Sequence, residues 1–389
     1  MYVSAFLHRE KLFQITNRWL SDKLIPGDPV EITRIIAYNS YVAWSKLLEF
    51  ITNLNRSLTA RPVIQRPLAT KKALKDIICN ANGCHSDQIE QLISEYKKLS
   101  EYYYIGSPMA GYIYLDDRNH VVSMCRFKRV KRIAEKTSRY ASLYLTDLVQ
   151  DIAQKLELPS KWPAQSPHIF SRTTLDAAEK QLLKNIRESG IHLPKEVVTI
   201  KDVLGVKVIQ NDVTESKLES VIEGFRGARI IEKEAHSGNY NAIHYVIEIT
   251  VDLSAIIHKY PRDTANKVFA NRGLPSGNLR RDFEAFTRTG TDTLQLDLIF
   301  TTFEELIESE IGRSMHEARI FKQRQQQNRY GNIPINMEYI IEYLLAVGLS
   351  PTAEIDEIPI KLWGRYLPDT LSFQIRNLYL MPEYSIINL

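Results

Sequence analysis

The chain has 389 residues, of which 44% are hydrophobic and 25% are charged, with 50 basic side chains against 46 acidic ones. These values are ordinary for a globular protein and exclude a largely disordered or a collagen-like chain. The length suggests two or three domains. Three cysteines cannot form a disulfide framework, and neither a secretory signal nor an apolar run of about 20 residues is visible, so we expect a cytoplasmic protein. The net charge of +4 permits a phosphate-rich ligand without requiring nucleic acid.

Residues 1–105 are predicted to form an all-helical domain. Apolar side chains recur at helical spacing over residues 8–25, and a Pro-Gly-Asp-Pro sequence separates that helix from a longer one over about residues 31–58. Two further helices are predicted over residues 69–79 and 86–104. Nothing here alternates with period two, so we expect no strand.

After Gly106 the spacing becomes that of strands. Val, Ile and Tyr residues on either side of the turn at 116–119 predict a hairpin. Three further strands, over 202–209, 244–251 and 293–300, alternate with helical stretches and predict a mixed sheet. The chain is therefore expected to be an α+β protein in three parts. These are a helical N-terminal domain (1–105), a mixed-sheet domain (106–328) with insertions at about 140–198 and 253–291, and a small C-terminal appendage (329–389).

A basic cluster marks the end of the hairpin and the start of the next helix. Arg126 and Lys128 alternate along the strand end and project to one side, and Lys136 lies further along the helix. Such an arrangement can surround a polyphosphate, with arginine supplying bidentate contacts and lysine point charges. A solvated basic face is the alternative.

Two carboxylates occupy strands that are otherwise apolar. Asp202 opens a buried strand and is followed by Gly205, which permits close approach, so it suits a Mg²⁺ ligand beneath a phosphate or a simple turn cap. Asp297 lies on the opposite face from the alternating apolar residues of its strand. A charge there is costly unless it is paired or metal-bound, although an exposed sheet face would also accommodate it. Together the two predict a divalent-metal site for phosphoryl chemistry.

A polar loop runs into the third of these strands. Tyr240 could stack on a base and His244 could reach a phosphate. A turn with a structural tyrosine is the alternative.

The order of these motifs resembles the synthetase domain of the RelA/SpoT-type alarmone synthetases. The basic residues come first, then Asp-x-x-Gly-x-Lys, then Tyr-x-Ala-Ile-His, then the carboxylate strand, and finally Glu-x-Gly-x-x-x-His at residues 310–316. The resemblance covers about residues 120–136, 199–251 and 292–318.

The resemblance implies a nucleotidyltransferase-like mixed sheet that binds ATP as co-substrate with Mg²⁺. Such enzymes transfer the β,γ-pyrophosphate of ATP to a 3′-hydroxyl and release AMP. It also implies roles for individual residues: Arg126, Lys128 and Lys136 for ATP, Asp202 and Asp297 for the metal and catalysis, His244 for catalysis, Tyr240 and Lys207 for the acceptor, and Glu310, Gly312 and His316 in a closing helix.

The departures from the family pattern fall mainly on the acceptor side. The family has serine at Arg132, arginine at Lys207, and glutamine and arginine at Ile299 and Thr301, while the usual glutamate is Asp297. The donor and metal half therefore resembles the family more closely than the acceptor half. The basic insertion at 253–291 could form a lid, a surface for a nucleic-acid backbone, or a plain solvated insertion.

No His-Asp dipeptide, as used by the family's hydrolase domain, occurs in the chain. The protein is thus similar to synthetase-only, toxin-like relatives that act on a nucleotide or on the 3′ end of tRNA and are restrained by an antidote protein. A catalytically degenerate nucleotide or RNA sensor is the first alternative. An enzyme that transfers AMP and releases pyrophosphate is the second.

Overall fold

A computed structural model describes residues 1–83, 86–100, 108–157, 170–209, 213–238, 241–260, 274, 279–312, 332–350 and 354–379. A mixed seven-stranded sheet is surrounded by helices, which confirms the predicted α+β class. None of the helices in these ranges combines the length and the apolar character that a membrane crossing requires.

The strands of the described part are β1 (Tyr2–Val3), β2 (Val63–Thr70), β3 (Pro108–Asp116), β4 (Val121–Phe127), β5 (Thr199–Ile200), β6 (Leu204–Ile209), β7 (Ala228–His236), β8 (Ala242–Thr250) and β9 (Thr293–Thr301). The large sheet has the order β2-β3-β4-β6-β9-β8-β7. Strands β6 and β9 are parallel and the other neighbours are antiparallel. Strands β1 and β5 form a separate parallel pair.

The α-helices of the same ranges are α1 (Arg9–Leu20), α2 (Asp28–Leu58), α3 (Lys71–Cys79), α4 (Asp87–Leu99), α5 (Val130–Glu157), α6 (Arg172–Ser189), α7 (Glu215–Gly224), α8 (Leu253–Lys259), α9 (Leu279–Thr287), α10 (Phe303–Ile311), α11 (Ile333–Leu349) and α12 (Pro368–Tyr379). Thr70, Ser171, Thr214, Asp252 and Thr302 cap their helices by accepting a backbone N–H.

The two faces of the sheet bury different cores. The apolar side chains of β9, such as Leu296 and Leu298, join a large core that also contains Phe50 of α2 and Leu145 of α5. The opposite face contributes to a smaller core with α3, α4 and α10, which includes Met124. The remainder of that second face carries Arg126, Gly205 and Asp297, and we call it the site face.

The prediction of an all-helical N-terminal region is wrong, because residues 1–105 also contain β1 and β2. Strand β2 pairs antiparallel with β3 at the edge of the sheet, and Gln65, Arg66 and Pro67 are exposed along it. An edge strand needs few apolar side chains and tolerates proline, so period-two alternation is absent.

The three predicted parts share one core. The large core contains side chains from all three, for example Met1, Leu298 and Leu378. The ring of Trp19 lies 6.3 Å from that of Tyr343. The boundaries at residues 105 and 328 stay predictions. The nucleotidyltransferase-like topology stays a prediction as well.

Candidate active site

Three neighbouring strands bring the central residues of the site into one row. Arg126 of β4 is the register partner of Gly205 in β6, and Gly205 is the partner of Asp297 in β9. Because register partners project to the same face of a sheet, Arg126 and Asp297 flank the glycine on the site face. The parallel pairing of β6 and β9 therefore joins two motifs that are far apart in the sequence.

Gly205 makes room for the arginine. A Cβ atom at this position would lie 3.3 Å from both Cγ and Nε of Arg126. The missing side chain thus lets Arg126 lie across β6, close to Asp297.

Asp202, just before β6, holds two of the predicted ATP-binding lysines. Lys128 Nζ donates a hydrogen bond to Asp202 Oδ2, and Lys136 Nζ lies 2.9 Å from the same oxygen. The backbone N–H of Lys128 donates to the carbonyl of Val203 at 2.8 Å, which fixes the chain after β4 beside the start of β6. The sequence placed all three charged residues in the site, and the structure brings them into direct contact.

These ion pairs determine the protonation of Asp202. Burial alone would raise the pKa of its carboxyl group, but Lys128 and Lys136 hold that pKa well below its usual range. Burial lowers the pKa of Lys128 to about 8, against the opposing attraction of Asp202. Asp202 is therefore a carboxylate at any pH near neutrality.

Asp297 has a different environment. Its neighbours Leu296 and Leu298 are fully buried in the large core, whereas Asp297 is half-buried on the site face, as the alternation predicts. Burial and the negative charge of Asp202 raise the pKa of Asp297 to about 6, although Arg126, Lys128 and Lys136 oppose the shift. A further cation nearby would stabilise the ionised form of this carboxyl group.

The two carboxylates are oxygen ligands of the kind that a divalent cation such as Mg²⁺ prefers. Asp202 Oδ1 is buried and has no hydrogen-bond partner in the described part of the chain. Among those residues no cluster of three or more His, Cys, Asp or Glu side chains could hold a metal ion. A cation here would have two protein ligands, and Mg²⁺ commonly completes such a shell with phosphate oxygens and water.

Lys207 lies on β6 two residues after Gly205, and its side chain contacts α10. Its Nζ donates to Ser309 Oγ at 3.3 Å and lies 3.5 Å from Glu310 Oε1, and burial lowers its pKa to about 8. Glu310 is 3% exposed, and Lys71 of α3 approaches its other oxygen at 3.7 Å. This buried group connects β6 to α3 and α10, so the closing-helix residue Glu310 contacts Lys207. The acceptor role of Lys207 stays a prediction.

The residues at the predicted acceptor positions lie on β8 and β9. His244 is the register partner of Ile299, and its ring meets that of His236 edge-on at 4.4 Å. Ile299 and Thr301, where the family has glutamine and arginine, are 9% and 2% exposed. Thr301 Oγ1 donates to the carbonyl of Asn241 at 3.1 Å, so this threonine holds the loop that follows Tyr240.

Some of the predicted site features lie outside the described residues. These are Tyr240, His316, and residues 261–273 and 275–278 of the basic insertion. Gly312 is described and ends α10, where its N–H donates to the carbonyl of Glu308 at 3.0 Å. Arg132, at the family's serine position, donates to Glu135 on its own helix.

Sequence reasoning missed two residues of the site, Lys71 and Asn241. Lys71 opens α3, whose first turn contains no acidic residue, and a cation there opposes the helix dipole. That local conflict was a signal for a tertiary partner, which is Glu310. Asn241 Nδ2 donates to Glu305 Oε1 at 2.6 Å and ties the loop to α10, and no spacing in the sequence indicated this contact.

Comparison with known proteins gives no relative. No family model matches the chain, and no curated protein or solved structure matches it either. The resemblance to alarmone synthetases depends on the motifs alone.

Proposed function

We propose that the chain is a Mg²⁺-dependent pyrophosphokinase with a nucleotidyltransferase-like fold. It would transfer the β,γ-pyrophosphate of ATP to the 3′-hydroxyl of a nucleotide or of tRNA and release AMP. The observation that carries this proposal is a pair of carboxylates beside three cations: Asp202, just before β6, and Asp297 of the neighbouring strand β9. Phosphoryl chemistry depends on positioning and charge neutralisation, and such a site supplies both.

Arg126, Lys128 and Lys136 would hold the phosphates of ATP. Arg126 projects from the row beside Asp297, while Lys128 and Lys136 lie against Asp202. Arginine can bind two phosphate oxygens at once, and each lysine adds a point charge.

Asp202 and Asp297 would hold the metal. When bound, Mg²⁺ would neutralise the migrating phosphates and favour ionisation of the attacking hydroxyl. Asp202 already has the ionised form that this requires. Tyr240 would stack on the acceptor base and His244 would contact a phosphate, as the resemblance implies.

The test is incubation of the purified chain with γ-labelled ATP and Mg²⁺. GDP, GTP, ADP, ATP and bulk tRNA are supplied separately, and both label and AMP are followed. Label that moves to one acceptor with equimolar AMP would support the proposal and identify the acceptor. Release of pyrophosphate instead of AMP would indicate nucleotidyl transfer. Asp202→Asn should abolish transfer while the fold stays intact, and full activity in that variant would overturn the mechanism.

A nucleotide or RNA sensor is the second candidate. The burial of Ile299 and Thr301 favours it, because the groups that hold the acceptor in the family are absent at these positions. Retention of both carboxylates argues against it, since a pure binding protein has little need of a metal pair. ATP binding without AMP release, whatever acceptor is supplied, would support the sensor.

A further inference from the structure

Two of the three proposed ATP-binding cations are already engaged by a proposed metal ligand. Both Lys128 and Lys136 contact Oδ2 of Asp202. In the described part of the chain, Oδ1 of the same carboxylate is buried without a hydrogen-bond partner. The negative charge of Asp202 is therefore neutralised by its own neighbours when no ligand is bound.

Neither ATP nor a divalent cation can bind this site alone without a cost in free energy. If the lysines turned to phosphates in the absence of a metal, Asp202 would be left buried beside Asp297 with no cation of its own, which is expensive. If a metal bound alone, it would meet three positive side chains, two of them still held by Asp202. Each ligand removes the obstacle to the other, because the metal replaces the lysines on the carboxylate while the phosphates accept the lysines.

We propose that Lys128 and Lys136 exchange partners on ligand binding, from Asp202 to the ATP phosphates, so that the site takes ATP and a divalent cation as a coupled pair. The inference rests on the proposed function. It adds coupled binding of ATP and the cation, which the same residues would not produce if the lysines kept their partner. Coupling of this kind is reciprocal, and the same factor applies to the nucleotide and to the metal.

The exchange makes an unusual prediction for Asp202→Asn. In EDTA, this variant should bind ATP about fivefold more tightly than the wild type, or better, because its lysines are no longer held by a carboxylate. Asp297→Asn is the matched control, since it removes one negative charge from the same site without releasing either lysine. It should tighten ATP binding in EDTA less than Asp202→Asn does. Equilibrium binding by titration calorimetry on the full chain measures all three proteins.

The mirror experiment uses a metal alone. Lys128→Met should bind Mn²⁺ more tightly than the wild type in the absence of nucleotide, as measured by electron paramagnetic resonance of free Mn²⁺. The same variant should bind ATP more weakly. This arm tests the competition at Asp202 even if Asp202→Asn fails to fold.

The outcomes separate the inference from the proposed function. Equal or weaker ATP binding by Asp202→Asn in EDTA would overturn the exchange, as would unchanged Mn²⁺ binding by Lys128→Met. Equal effects of Asp202→Asn and Asp297→Asn would also overturn it, because simple charge removal would then suffice. Failure of the wild type to bind ATP in Mg²⁺ would overturn the proposed function, and the inference with it.

Discussion

Gly205 determines, at the scale of a single residue, where the guanidinium of Arg126 can lie. We expect Gly205→Ala to lower the affinity for ATP in Mg²⁺ about tenfold, roughly the loss of one charged hydrogen bond. The new Cβ would lie 3.3 Å from the arginine side chain, which must shift. The free energy of unfolding should change by less than about 1 kcal/mol, because the neighbour is a flexible side chain.

Gly224→Ala is the matched control for this substitution. A Cβ on Gly224 would meet nothing within 4 Å, and the residue ends α7. Calorimetric titration should give it wild-type affinity. An affinity loss in both variants would show that the effect does not come from Arg126.

Glu310 is the second residue for which we predict the effect of a substitution, here on the free energy of unfolding. The carboxylate is buried and faces Lys71 and Lys207, so Glu310→Gln would remove a negative charge that two buried or half-buried cations contact. We expect the free energy of unfolding to fall by about 3 kcal/mol in urea titrations. Glu308→Gln, on the same helix, should cost less than about 1 kcal/mol because it is only half-buried and can keep its contact with Gln88. Similar losses in the two variants would contradict the buried network.

At the scale of elements, His8 links the start of α1 to α2 and α9. Its ring stacks on Phe286 at 3.8 Å, Nε2 lies 2.9 Å from the carbonyl of Phe286, and Nδ1 lies 3.2 Å from Asn39 Oδ1. Burial lowers the pKa of His8, with Lys11 adding to the shift and Asn39, Phe286 and Glu31 opposing it. The folded state therefore favours the neutral ring.

The lowered pKa of His8 predicts how the stability of the fold changes with pH. Because the folded-state pKa is below the unfolded value of about 6.5, the contribution is complete above pH 6.5 and is lost as the pH falls through the folded-state pKa. The wild type should lose stability between pH 7 and pH 5 more steeply than His8→Gln in urea titrations. His258→Gln, which alters an exposed histidine at the end of α8, should keep the wild-type slope. A parallel loss in His8→Gln would exclude His8 as the source.

The elements that the sequence predicted are those with a buried face. Strands β4, β6, β8 and β9 carry apolar side chains on at least one side, and their alternation was readable. Strands β2 and β7 were missed because both lie at sheet edges, and β7 carries exposed charged residues such as Lys233 and Glu234.

The candidate site was predictable in its residue types but not in its contacts. Charge among apolar strand residues indicated Asp202 and Asp297, since a buried charge needs a partner. Lys128 and Lys136 both pair with Asp202 because of the direction that α5 takes after β4. No local pattern in the sequence specifies that direction. The contact of Lys71 with Glu310 joins residues that are far apart in the sequence. The first turn of α3 indicated that Lys71 has a tertiary partner, but no pattern identified that partner as Glu310.

At the scale of the whole molecule, the shared core predicts cooperative unfolding. Trp44 of α2 stacks on Tyr112 at 5.7 Å and lies 6.4 Å from Phe127, so the predicted helical region packs directly on the sheet. We expect tryptophan fluorescence and far-ultraviolet circular dichroism to give coincident urea transitions. Two well-separated transitions would instead support an independent helical domain over residues 1–105.

The position of β9 has a consequence for the nascent chain. This strand enters the sheet between β6 and β8, so a chain that has not yet reached Thr293 holds two separate groups of strands, β2-β3-β4-β6 and β8-β7. The long-range parallel pairing that joins them is a slow step in folding. Because Asp297 arrives on this last strand, a ribosome-bound or truncated chain contains Asp202 and its lysines but no carboxylate pair. Any activity of the site therefore begins only when most of the protein has been made.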